Sequence, residues 1–254
     1  MSLTYHISKY NASGNDFVIF HDFLEEDRSA LAKILCDRHS GIGADGLIVC
    51  IPHDEYDFKW QFYNDDGSSA EMCGNGSRAC AHYALNHNLA KETMTFLTLA
   101  GPIKATVNEE SVQSDLTPPI IKENAINEFG FSWWLIDTGV PHLVSFDLDM
   151  EHFDLDMAST LRQKYNANVN IAKVHPDHIQ VRTYERGVEN ETLACGTGMA
   201  ACYYRAFKED QVTEKATKVI PTSGETLSLA FNGETITFEG KVTNTFNTTW
   251  TLKI

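Results

Sequence analysis

The stretch AEMCGNGSRACAHY, residues 70–83, returns in altered form as LACGTGMAACYYRA, residues 193–206. Aligned on Cys73 and Cys195, each copy continues with Gly-x-Gly and then with residues that suit a helix. Each places a second cysteine seven positions on, Cys80 and Cys202. This spacing predicts that the first cysteine stands where a helix begins. The second then lies on the same helix face about two turns deeper, as core packing. At a helix start, free N–H groups and the positive dipole end lower a thiol's pKa and attract anions. The glycines let a ligand approach the backbone closely. One such cysteine reads equally well as a small buried apolar residue, but two matching copies point to a paired role.

The flanking sequence repeats too. HISKYNASGNDFVIF reads as strand, glycine turn, strand, and SALAKILCDRH as a helix opening at a Ser29 cap. GLIVCI and YDFKWQFYN are β-like, and TMTFLTLAGPIKATVNEESVQSDL reads as a strand meander. TPPI, residues 117–120, is the candidate linker. After it come strands in FSWWLIDTG and HLVSF, a short helix in MASTLRQKYN, and strands in VNIAKV and HIQVRTYE. The helix after Cys195 follows, then strands TLSLAF, TITFEG and NTTWTLKI. The expected fold is α+β, with two similar domains. Each is a mixed sheet or barrel wrapped around a central helix, with the active site in the cleft between them. The halves are residues 1–118 and 119–245, and the last strand, about 246–254, returns to the first half.

Composition narrows the function classes. The chain has 254 residues and a formal net charge of −15, which disfavours a phosphate backbone as partner. The N-terminus lacks a secretory pattern and no apolar run is long enough to span a membrane, so a cytoplasmic protein is expected. Six cysteines without a signal peptide suggest reduced thiols. No C-x-x-C occurs, and HPDH at 175–178 looks like a turn, so no metal is expected. GIGADG, residues 41–46, fits the dinucleotide fingerprint in letters only. It has a helix before it and a strand after it, the reverse of what that motif needs. NDDGSS, residues 64–69, lacks the register of a calcium loop and reads as a turn.

Two activated thiols from two similar halves suit one reaction class, removal of a proton from one face of a carbon and its return to the other. One thiol acts as thiolate and its partner as acid. Two helix N-termini would stabilise the charge that builds on an α-carboxylate, with no cofactor. A thiol hydrolase using one cysteine with His142 would leave the other cysteine unexplained. A silent binding protein would leave both unexplained.

ASGNDFVIF, CDRHSGIGADGLIV, FYNDDGSSAEMCGNGSRA and TYERGVENETLACGTGMAA together resemble the diaminopimelate epimerase family, in order and over nearly the whole chain. The resemblance implies a pyridoxal-phosphate-independent isomerase that interconverts LL- and meso-diaminopimelate for lysine and peptidoglycan synthesis. It implies Cys73 and Cys195 as the two bases, with His142 and Glu185 poising them. Asn15 and Asn64 would line the substrate pocket. Gly74 with Asn75, and Gly196 with Thr197, would hold the α-carboxylate. Asn168, Glu185 and Arg186 would reach the distal end. The partner implied is a small amino acid, and a homodimer is compatible with the reading. The chain departs from the family at Val140, in GVPH, where Gly-Asn-Pro-His is usual, and has Gly46 where some members carry glutamine. Val140 keeps open the same chemistry on another amino acid.

Overall fold

The structure, a computed structural model, describes residues 2–213 and 215–253. The chain forms two compact units, Met1–Ser114 with Gly240–Ile254, and Asp115–Glu239. The first contains β1 (Ser2–Ala12), β2 (Asn15–His21), α1 (Ser29–Cys36), β3 (Gly46–Ile51), β4 (Phe58–Asn64) and α2 (Gly74–Asn86). It continues with β5 (Thr93–Thr98), β6 (Gly101–Asn108) and β7 (Ser111–Asp115). The second contains β8 (Ile120–Glu128), β9 (Phe131–Asp137), β10 (Pro141–Ser145), α3 (Leu155–Tyr165), β11 (Asn168–Val174) and β12 (His178–Glu185). It continues with β13 (Asn190–Thr192), α4 (Gly196–Lys208), β14 (Thr217–Ile220), β15 (Leu227–Phe231) and β16 (Ile236–Lys241). The last strand, β17 (Thr243–Lys253), pairs antiparallel with β1.

The strand pairings reveal a repeat deeper than the cysteine motif. In the first unit the path β17-β1-β2-β3-β4-β5-β6-β7 is antiparallel except at β2–β3 and β4–β5. In the second, the path β8-β9-β10-β11-β12-β14-β15-β16 is antiparallel except at β10–β11 and β12–β14. The parallel steps fall at the same places and carry the helices. Parallel neighbours need a crossover, which a helix supplies. The ladder β2–β3 begins at Phe17 opposite Gly46, and β10–β11 at His142 opposite Asn168. Phe17 therefore corresponds to His142, Asn15 to Val140, and Gly46 to Asn168. Asn64 and Glu185 correspond as the last residues of β4 and β12.

Both faces of β2 and β3 are buried. Phe17, Ile19, Ile48 and Cys50 pack with α2, whereas Val18, Phe20, Leu47 and Val49 pack with α1. That explains why GLIVCI is continuously apolar rather than alternating. Ten of the thirteen residues of α2 are buried, and ten of thirteen in α4. A helix buried on all sides needs small residues where strands crowd it, and Gly76, Ala79, Ala81, Ala84, Gly198, Ala200, Ala201 and Ala206 supply them. Cys80 and Cys202 are fully buried in these helices, as their spacing predicts. Burial pushes both thiols above their usual range.

One expectation is corrected. Ser29 does not cap α1 but is its first residue; Arg28 holds the cap position without a side-chain bond. The Asp27 carboxylate instead accepts from the Ser29 N–H at 2.9 Å. Residues 116–119 carry no regular structure, and Ile120 already opens β8. The GIGADG segment joins α1 to β3 as a turn, and a Cβ on Gly46 would lie 2.6 Å from the Phe62 ring.

Candidate active site

Cys73 is the N-cap of α2, with extended backbone at φ −147 and ψ 117. Its sulfur accepts the Gly76 N–H at 3.3 Å, and its thiol points to the Asn15 Oδ1 at 3.6 Å. Asn15 opens β2, and its Nδ2 donates to the Asp45 carboxylate at 2.6 Å. Arg38 joins Asp45 at 2.7 Å to Asp16 at 2.8 Å, and Lys9 pairs with Asp16 at 2.8 Å. Lys9 also donates to the Gly43 carbonyl, so the network clamps the GIGADG turn beside Asn15. Burial works against the Asp16 charge, but hydrogen bonds from Arg38 and Lys9 prevail and lower its pKa to about 2.

Asn64, at the end of β4, donates to the Ser68 hydroxyl at 3.0 Å, within the NDDGSS turn. Gly74 and Asn75 are the first two residues of α2. The Asn75 side chain turns back to accept from Arg78 at 2.7 Å, which leaves its backbone N–H, rather than its amide, at the open start of the helix.

In the second unit Cys195 is the N-cap of α4, at φ −122 and ψ 108. Its sulfur lies 3.5 Å from the Thr197 hydroxyl, which is 2.9 Å from His142 Nε2. His142 is fully buried, and Asn170 Nδ2 meets its Nδ1 at 3.1 Å. The same amide nitrogen donates to the Leu143 carbonyl at 2.9 Å, while its oxygen accepts from Thr183 at 2.9 Å. Asn168 Oδ1 accepts the Arg186 N–H at 2.7 Å, and Asn168 Nδ2 lies 3.4 Å from His142 Nε2. Glu185 accepts from the Thr192 hydroxyl at 2.9 Å, and Arg186 Nη1 donates to the Asn166 carbonyl at 3.1 Å. His142, Asn168, Thr197 and Cys195 thus form one chain of contacts. Glu185 and Arg186 stand at the same end of β12.

Burial, reinforced by the Arg186 charge, lowers the His142 pKa to about 3. The ring is neutral across the physiological range. Below an unfolded-state pKa of about 6.5 only the unfolded chain takes up that proton. The contribution is therefore intact above that pH and is lost as pH falls toward the folded value. Urea titrations from pH 7 down to pH 4 should show wild type losing stability more steeply than His142→Gln. Parallel curves would contradict a buried neutral ring.

The second glycine of each motif faces protein rather than ligand. A Cβ on Gly198 would sit 2.4 Å from Asn170 Oδ1 and 3.1 Å from Thr183 Oγ1. Asn170 is buried and held by the bonds just described, so it cannot move aside. On Gly76 the nearest contacts would be 3.3 Å to Cys73 Cβ and 3.4 Å to Ile48 Cδ1. Gly198→Ala should lower stability by about 1–3 kcal/mol, and Gly76→Ala by less, measured as urea midpoints. Equal effects would contradict this packing.

Asn170, Thr183 and Asp45 were not legible as site residues in the sequence. The usable signal was NVNIAKV: Asn168 and Asn170 are two apart in an apolar strand and so share a face.

The family model described as diaminopimelate epimerase matches residues 7–122 and 134–244. The chain belongs to the diaminopimelate epimerase family. A diaminopimelate epimerase of Nitratiruptor sp. is 59% identical over 241 residues, covering 94% of this chain and 96% of that protein. One from Campylobacter jejuni is 55% identical over 235 residues, at 92% and 94% coverage. One from Helicobacter pylori is 42% identical over 253 residues, at 92% of each. Among solved structures, a PhzF-family phenazine biosynthesis protein of Enterococcus faecalis superposes with a TM-score of 0.76 at 15% identity, covering 98% of this chain and 99% of that one. A probable proline racemase of Agrobacterium radiobacter does so with a TM-score of 0.76 at 12% identity, covering 96% and 92%. At those identities the likeness concerns the fold. Among the described residues, no helix is long and apolar enough to cross a membrane.

Proposed function

We propose that the chain interconverts LL- and meso-diaminopimelate by a two-thiol proton transfer at the α-carbon, serving lysine and peptidoglycan precursor synthesis in the cytoplasm without a cofactor. The observation that carries this reading is the placement of Cys73 and Cys195 as N-caps of corresponding helices in two units of identical strand order. One cysteine, as thiolate, removes the α-proton. The other, as thiol, protonates the opposite face, and the two exchange protonation states in each turnover. The backbone N–H groups at Gly74 and Asn75, and at Gly196 and Thr197, stabilise the negative charge that develops on the α-carboxylate. The positive end of each helix adds to that stabilisation.

The distal head of the substrate carries both charges. Arg186 supplies a charge-assisted contact to its carboxylate and Glu185 accepts from its ammonium. Asn64 and Asn168 contribute amide groups. His142 and Glu185 assist the thiols. The reading is tested by incubating the protein with LL-diaminopimelate and resolving the products by chiral chromatography. The meso isomer should appear until the two reach equilibrium. No conversion, with conversion of another amino acid, would transfer the same chemistry to that substrate.

A further inference from the structure

We propose that Asp45 is a positioning residue, which acts through Asn15 and holds its amide with the oxygen directed at the start of α2. The consequence for turnover rests on the epimerase reading. The basis is donor and acceptor assignment within the first unit.

The assignment starts at a group that can only accept. Asp45 Oδ2 lies 2.6 Å from the Asn15 side chain, so the Asn15 group there is the NH2 end of the amide. The same oxygen accepts the Asp16 N–H at 3.1 Å. The Asn15 oxygen is thereby left on the other side, toward Cys73 at the start of α2. A reversed amide would set its oxygen against a carboxylate, with no proton between them. Hydrogen bonds to a charged group are the strong ones, so Asp45 selects one of the two orientations open to the amide.

Asp45 is itself held. Its Oδ1 accepts from Arg38 at 2.7 Å, and the two terminal nitrogens of Arg38 reach Asp16 at 3.1 and 2.8 Å. One planar fork thus serves two carboxylates, which the single ammonium of a lysine does poorly. Lys9, a buried residue, pairs with Asp16 at 2.8 Å from the other side. The main chain ties the same two residues, since the Asp45 N–H donates to the Asp16 carbonyl at 2.9 Å and to its carboxylate at 3.0 Å. Two cations and two anions balance in a network that ends at Asn15.

The second unit shows that the strand frame does not require this set. The register that matches Phe17 to His142 and Gly46 to Asn168 also matches Asn15, Asp16 and Asp45 to Val140, Pro141 and Ala167. None of those three side chains can make these bonds, yet β10 and β11 pair in parallel as β2 and β3 do. The polar set therefore serves what the first unit does rather than how it folds. Its effect is to fix what Asn15 offers a substrate, an acceptor in place of a donor.

The test is a double-mutant cycle on kcat/KM for LL-diaminopimelate, with urea midpoints as the check on folding. Asp45→Ala should lower kcat/KM by roughly tenfold, the worth of one hydrogen bond. In an Asn15→Ala background the same substitution should change kcat/KM by less than about twofold, because the residue it acts through is gone. A merely structural role of Asp45 would give the same loss in both backgrounds. Asn15→Asp sets a second carboxylate against Asp45 at the 2.6 Å contact. Adding Asp45→Asn should then raise kcat/KM above that of Asn15→Asp alone, by relieving the like charges. One further readout needs no turnover. The Asn15 side-chain NH2, followed by nitrogen-15 NMR, should exchange with water roughly tenfold faster in Asp45→Ala than in wild type. The proposal is overturned if Asp45→Ala leaves kcat/KM or the amide exchange unchanged, if its loss is the same with and without Asn15, or if Asp45→Asn worsens Asn15→Asp. Absence of product from wild type, with the amide exchange behaving as stated, would count against the diaminopimelate reading alone.

Discussion

Cys73→Ser and Cys195→Ser are each expected to lower kcat for epimerisation by roughly 10²–10⁴-fold, the range that a positioned acid or base contributes. A serine hydroxyl is far too weak an acid to stand in for a thiolate at neutral pH. In the proposed two-thiol cycle each cysteine both takes and gives a proton, so either loss removes one of the two steps. The fold should be retained, because both cysteines sit at helix starts rather than inside the helices. Cys80→Ser makes the contrast. Cys80 is fully buried, with its sulfur 3.5 Å from that of Cys50, so the substitution should cost stability rather than chemistry. Turnover with urea midpoints separates the two classes. Near-normal turnover in either of the first two variants would remove the two-thiol mechanism.

Arg186→Ala is expected to lower kcat/KM on LL-diaminopimelate by roughly a hundredfold or more, the cost of removing one partner of a charged contact. Its backbone is fixed by Asn168 and its guanidinium by the Asn166 carbonyl, which together hold the charge at the end of β12. Asn166 itself adopts the left-handed conformation, at φ 49, that ends α3 and turns its carbonyl to this arginine. Val140→Asn restores the usual family residue and should change KM by no more than about tenfold, the worth of one hydrogen bond. Unchanged kcat/KM in Arg186→Ala would mean that the distal head is not bound there. A substrate with one charged head would then be the better assignment.

The central helices were legible because Cys, Gly-x-Gly and alanine-rich continuation state a buried helix start in local terms. The β2 and β3 strands were legible as continuous apolar runs. β8 was not, since IIKENAINE is mostly exposed and lacks alternation. The short β13 and β14 also carry too few residues for a pattern. Ser29 misled because the capping bond comes from Asp27, two residues earlier. Cys73, Cys195 and Thr197 could be found from their own motifs. The contact of Asn170 with His142 could not, because β10 and β11 are brought together by a parallel pairing across α3. No local spacing encodes the amide orientation that follows from it. The equivalence of Asn15 with Val140 likewise emerges only from the ladder registers.

The most direct test of two-thiol proton transfer is deuterium wash-in during the first turnovers of LL-diaminopimelate in deuterated water. Two thiols working on opposite faces predict that every molecule of meso product carries one deuterium at the inverted α-carbon, while unreacted LL substrate keeps its protium. Product that retains the α-protium of its substrate would show one base returning the proton it removed, and would contradict the account.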